Sequence, residues 1–233
     1  MAGLMSAIFR QGMSWHTYLN LEKDLIEIAR YVALDKEHSG VWSEKIAQAL
    51  LLTGSTVDSF FSEMRRSSYL PQSKLLNDLQ QNPLPNIGQY REVYERIYKL
   101  SGVEVRASYG LGDYGTIRPF QPFAPQSYPQ WWNDYNDVKH GFFQSMDKGT
   151  LDNLVHALGA LFALNVIHKD SQQYLLSIGI INVGAFDTKI RYWRNGKSSW
   201  PYFKDSFTGF RGGSSLEAWV MSEVFTHRFR NDS

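Results

Sequence analysis

Cysteine is absent from the 233 residues. That excludes disulfides, thiolate nucleophiles and every zinc site built on sulfur, and it fits a cytoplasmic setting without demanding one. Net charge is nearly absent as well, since 24 Lys and Arg stand against 23 Asp and Glu. The chain therefore lacks the global positive field of a protein that grips duplex nucleic acid through many phosphates, and any contact with RNA or DNA has to be local. Long apolar runs are missing. The stretch 154–167 is interrupted by His156 and Asn165 and is too short to cross a bilayer. Residues 1–10 carry neither a basic lead-in nor a cleavage site, so no signal peptide and no membrane partner are expected. Internal repeats and low-complexity tracts are absent too.

What is present is core-forming material. Hydrophobic residues make up 43% of the chain and aromatics 15%, enough for one large domain or a domain with an extension. Leu21, Leu25, Ile28 and Val32 recur at helical spacing, with Asn20 as a cap and Glu22 and Asp24 complementing the dipole in the first turn. Ser43 opens a second helix that buries Ile46, Ala47, Leu50, Leu51, Val57, Phe60, Phe61 and Met64, with Gly54 as a point of loosening. The two read as a helical hairpin. A third helix spans 73–81 and a fourth 86–100, punctuated by Pro71, Pro83 and Pro85.

Residues 101–129 hold many glycines, prolines and aromatics and form an irregular insertion, with a short strand at 103–107. Helices are expected again over 131–146 and 150–169, the latter with Thr150 or Asp152 near its cap and with Gly159, Ala160 and Ala163 admitting a neighbouring helix. The C-terminal extension, 171–233, has a hairpin signal at Asn195-Gly196 and closes as an amphipathic helix over 214–229. The fold class is mainly α: an N-terminal segment 1–20, a helical domain 21–170 and that extension.

The densest chemistry lies at Trp131-Trp132-Asn133-Asp134-Tyr135-Asn136-Asp137-Val138-Lys139-His140. On a helix, Trp132, Asn136 and His140 share one stripe and Tyr135 and Lys139 the adjoining one. A histidine near neutral pKa exchanges a proton with a ribose hydroxyl or a leaving oxygen, an amide orients sugar or phosphate, and a nearby lysine offsets phosphate charge. A buried structural network, its polar groups satisfying one another, explains the same stripe.

At Asn136-Asp137-Val138-Lys139-His140 the chain resembles the HEPN superfamily of small all-helical domains, in which a polar residue precedes a histidine on a late helix. The run from Leu21 to Tyr31 and the run from Ser43 to Leu50 are similar to the opening helix pair of HEPN-like proteins of bacterial defence islands. The resemblance covers roughly residues 21–169. It implies an HEPN-like bundle and metal-independent RNA cleavage at a composite site across a homodimer, with an arginine and a histidine as catalytic residues and no cofactor. Asn136 and His140 keep two positions of that motif. The arginine positions hold Asn133, Asp134 and Tyr135, and an always-charged bidentate phosphate ligand is thereby lost. Arg106 and Arg118, in the preceding insertion, are the available substitutes. Arg10 and His16 also fit the arginine-to-histidine spacing, although they lie outside the late helix.

Two functions follow. In the first, a ribonuclease uses His140 and Asn136 as catalytic residues, with Lys139, Tyr135, Arg106, Arg118 and Trp132 contacting substrate. In the second, a non-catalytic module binds RNA, a nucleotide or a protein partner as sensor or scaffold. The aromatics of 109–132, and Arg191-Tyr192-Trp193-Arg194 with Trp200, suit base stacking, a protein interface or a core extension alike. No metal site is expected. His156 and His168 lie more than three helical turns apart, Glu22, Asp24 and Glu27 read as a solvated helix face, and the glycines of 109–115 lack the strand and helix that a phosphate cradle needs.

Overall fold

The computed structural model describes residues 2–67, 70–110, 112–178, 180–183 and 218–229. Its centre is a helix that is apolar on nearly every side, α6 (Leu151–Ile167), buried from Leu151 to Val166 apart from Asp152 and His156. A helix with no polar face has to be wrapped, and the rest of the chain wraps this one. Packed on it are α1 (Ala2–Ile28), α2 (Glu44–Met64), α5 (Gln130–His140), α7 (Lys169–Ser177) and one sheet. The helices α3 (Lys74–Gln81) and α4 (Ile87–Tyr98) pack on each other, and α4 reaches the core through Tyr90, Val93 and Tyr94. The architecture is mainly helical, as expected.

Local chemistry sets most helix starts. Ser43 accepts from Ile46 N, Ser73 from Leu76 N and Thr150 from Asn153 N, each satisfying an amide that the first turn cannot. Asn86 and Gln89 form a reciprocal capping box at α4. Asn20 does not cap. The helix it was expected to start runs unbroken from Ala2, because Trp15, Tyr18 and Leu21 already bury one face before Leu25. Nor does Gly54 loosen α2: a Cβ there would lie 2.4 Å from the ring of Tyr135, so the glycine admits a close approach of α5. The helix expected over 131–146 stops at His140, and Gly141 begins a tight turn that leads into a short 3-10 helix at Met146–Lys148.

The sheet has five antiparallel strands in the order β2-β1-β5-β4-β3, from β1 (Val105–Tyr109), β2 (Gly112–Ile117), β3 (Ile181–Val183), β4 (Ala218–Met221) and β5 (Phe225–Phe229). Two expectations change here. The insertion holds a β-hairpin, with Gly110 at φ +59° in its turn and a bulge between Ala107 and Ser108, so the glycine run shapes a hairpin and no phosphate cradle. The segment expected as a closing helix is instead the hairpin β4–β5. Its apolar residues suit both periods, and pairing of Arg106 with Thr226 and of Ala107 with Phe225 selects the strand. Gly159 of α6 receives this sheet, not a helix: an added Cβ would meet Ile117 at 2.9 Å and Phe225 at 3.5 Å. The hairpin signal at Asn195-Gly196, Arg191 to Arg194 and Trp200 lie outside the described residues.

Candidate functional site

The helix α5 splits its residues as the stripe argument requires, but with different consequences for each side chain. Trp131, Trp132, Asp134, Tyr135 and Val138 are buried against α2 and α6. Trp131 donates its indole N–H to Pro119 O (2.6 Å), which pins the end of the hairpin segment to the start of α5. Trp132 stacks its edge against Phe61 and tilts against Tyr135. Of the five residues expected to contact substrate, Trp132 is core.

Tyr135 is core as well, 1% exposed, and its hydroxyl has no partner among the described residues. Its ring carries Lys139 Nζ at 5.4 Å from the centroid, a cation–π contact along the stripe. Asn136 donates its amide N–H to Trp132 O (2.7 Å), one turn back on the same helix. One N–H of the motif's amide is therefore held by its own backbone. His140 and Lys139 stand exposed in the last turn, where a cation complements the negative end of the helix dipole. Asp58 on α2 belongs to this neighbourhood and was not singled out in the sequence. Burial pushes its carboxyl above the usual range, and the charge of Lys139 works against that rise.

Neither substitute arginine completes the motif. Arg106 on β1 pairs with Asp113 on β2, and Arg118 pairs with Glu104 at 2.8 Å. Arg118 adjoins Pro119, the residue bonded to Trp131, whereas His140 lies nine positions further along α5, about 14 Å at 1.5 Å per residue. Arg10 and His16 sit on α1, roughly 120° apart around its axis. His16 Nε2 is 3.1 Å from the hydroxyl of Tyr174. Beyond α5 the chain turns at Gly141–Gln144, with Gln144 N donating to Gly141 O (3.0 Å), and this turn projects Phe143, 86% exposed, with Phe142 set edge-on behind it.

Three buried polar networks stand apart from these exposed groups. Glu22, read in the sequence as part of a solvated face, is 2% exposed. Its Oε1 accepts from Tyr18 OH (2.6 Å), Ser222 Oγ (2.5 Å) and Val224 N (3.0 Å), so a carboxylate on α1 holds the turn between β4 and β5. Burial first, then the Glu22 charge, pushes the Tyr18 phenol well above its usual range. The second network centres on His168, which ends α6. Its Nδ1 lies 3.1 Å from Tyr98 OH and its Nε2 3.1 Å from Asp170 Oδ2. Burial alone would raise the Asp170 carboxyl, but the hydrogen bond and charge of His168, with a hydrogen bond from Ser67, hold it below its usual value. In the third, Asp134 accepts from Gln130 (3.0 Å) and Asn153 (2.9 Å), tying α5 to α6.

Chemically, these networks join one element of the fold to another, while the α5 terminus offers an exposed imidazole, an exposed ammonium and, in the turn beyond it, an exposed ring. Among the described residues no cluster of His, Asp or Glu can hold a metal ion, and no helix is long and apolar enough to cross a membrane. No family model, curated protein or solved structure matches the chain.

Proposed function

We propose that the chain is a helical module that binds single-stranded RNA locally, without cutting it, at the exposed end of α5. The observation that carries this reading is the bond from the Asn136 amide to Trp132 O. It ties one Asn136 N–H to the helix backbone, and both candidate arginines are engaged by carboxylates. Charge-assisted cleavage needs several groups converging on one phosphate, whereas binding needs only a ring and nearby cations. Phe143 supplies an uncovered ring, Lys139 an exposed ammonium and His140 an exposed imidazole. In the terms of the HEPN resemblance, this is a degenerate bundle that retains a nucleic-acid surface after losing its arginine.

The test is fluorescence anisotropy with a labelled single-stranded RNA and the matching duplex, with the RNA recovered intact afterwards in chelator. Saturable binding of the single strand, weakened about tenfold in Phe143→Ala, supports the module, since one stacked base contributes about 1–3 kcal/mol. Binding that is absent, or unchanged in Phe143→Ala, removes it. The exposure of His140 favours a second reading, metal-independent cleavage at a two-fold composite site. Chelator-resistant cleavage that disappears in His140→Ala replaces the first reading with the second.

A further inference from the structure

On α5 the side chain of Lys139 leans back by one turn and sets its Nζ 5.4 Å from the centroid of the Tyr135 ring. That ring is itself fixed. It is 1% exposed and lies so close to α2 that a Cβ on Gly54 would stand 2.4 Å from it. Asp58 follows Gly54 by one turn on α2 and shares its face, so the ammonium over the ring comes to the neighbourhood of the Asp58 carboxylate. The two charges bear on each other: Lys139 works against the rise that burial imposes on the Asp58 carboxyl. Asp58 is half-buried and makes no hydrogen bond among the described residues, which leaves this ammonium to answer its charge.

The arrangement withdraws a cation from the α5 terminus. A phosphate arriving beside Phe143 meets an ammonium already shared between an aromatic face and a carboxylate, and it has to compete with both. We propose that Asp58 and the Tyr135 ring hold Lys139 back in the free protein, and that single-stranded RNA binds at the α5 terminus by drawing the ammonium off them and onto a phosphate. This rests on the RNA-binding reading and adds to it a competitor built into the fold. Asp58 is then a positioning residue, setting affinity through Lys139 and not by contact with RNA.

The experiment titrates one labelled single-stranded RNA with the parent, Asp58→Asn, Lys139→Gln and the double variant, read by anisotropy, with each fold checked by circular dichroism. Asp58→Asn should tighten binding about threefold, the scale of a partly exposed ion pair. Lys139→Gln should weaken binding and lower the salt slope by about 0.7, the share of one phosphate contact. In the Lys139→Gln background Asp58→Asn should change nothing, because the carboxylate acts through the ammonium. NMR of isotope-labelled lysine reports the same event directly. The ε-methylene protons of Lys139 should lie upfield in the free protein, shielded by the Tyr135 ring, and return to ordinary positions when RNA is added.

Binding that depends on Phe143 but is unchanged in Asp58→Asn overturns this proposal and leaves the RNA-binding reading standing. So does an Asp58→Asn gain that persists without Lys139, or a Lys139 signal that stays upfield in the complex. Absence of RNA binding in the parent and in Asp58→Asn alike overturns both.

Discussion

The ring of Tyr135 rests on the bare backbone of Gly54, so closely that a Cβ on that glycine would lie 2.4 Å from Cδ2 and 2.5 Å from Cγ of the ring. Replacing Gly54 with Ala should therefore destabilise the protein, even though alanine is the better helix former. Overpacking of this kind costs about 1–3 kcal/mol. Urea unfolding should show a lower midpoint with an unchanged slope, and Gly54→Ala combined with Tyr135→Leu should recover part of the loss.

The Glu22 anchor predicts a graded series. Glu22→Ala leaves the Tyr18 hydroxyl, the Ser222 hydroxyl and the Val224 amide without their shared acceptor, and should cost about 3 kcal/mol by chemical denaturation. Ser222→Ala removes one donor to that carboxylate together with the acceptor of Phe225 N, and should cost about 1–2 kcal/mol. A Glu22→Ala protein as stable as the parent would show that the carboxylate does not fasten the β4–β5 hairpin.

Asp170 and Asp58 should push stability in opposite directions with pH. The Asp170 carboxyl is held below its ordinary 3.8, so its contribution is present above that value and is lost as pH falls through the depressed folded one. Asp170→Asn should flatten the acid limb of a stability curve recorded from neutral pH downward. Asp58 is raised by burial despite Lys139, so its ionisation opposes folding once pH rises through the raised value. Asp58→Asn should consequently be more stable than the parent at neutral pH and should lose that advantage in acid.

At the α5 terminus, His140→Ala and Phe143→Ala should leave thermal stability within about 0.5 kcal/mol of the parent, since both side chains face solvent. Trp132→Ala should cost about 3–5 kcal/mol, because its ring fills the space between Phe61 and Tyr135. Differential scanning of the three variants separates the exposed surface from the core stripe, and only the first two are informative in RNA titrations.

Local signals were legible at the starts of α2, α3, α4 and α6, although Asn20, read as a cap on the same grounds, lies inside α1. Ser43, Ser73, Thr150 and Asn86 cap helices because a short side chain and the amides it serves lie within one turn. The stripe of Trp132 and Asn136 on α5 was legible for the same reason. What Asn136 bonds was not, since spacing does not say whether an amide faces a ligand or its own helix. Glu22 was misread because its burial depends on Ser222, 200 positions away. The β4 and β5 strands were misread because their apolar spacing suits helix and strand alike, and the choice between them belongs to β1.

The order of the sheet has a consequence for how this chain is made. Among the described strands β5 comes latest in sequence yet lies in the middle of the sheet, flanked by β1 on one side and β4 on the other. Until it arrives, β1 has one unsatisfied edge, and Ile117 and Phe225 cannot meet at Gly159 on α6. Closure of the sheet around β1 therefore waits until residues 225–229 have been made, more than 100 positions after β2, and the nascent hairpin β1–β2 spends that interval with an open edge exposed to aggregation.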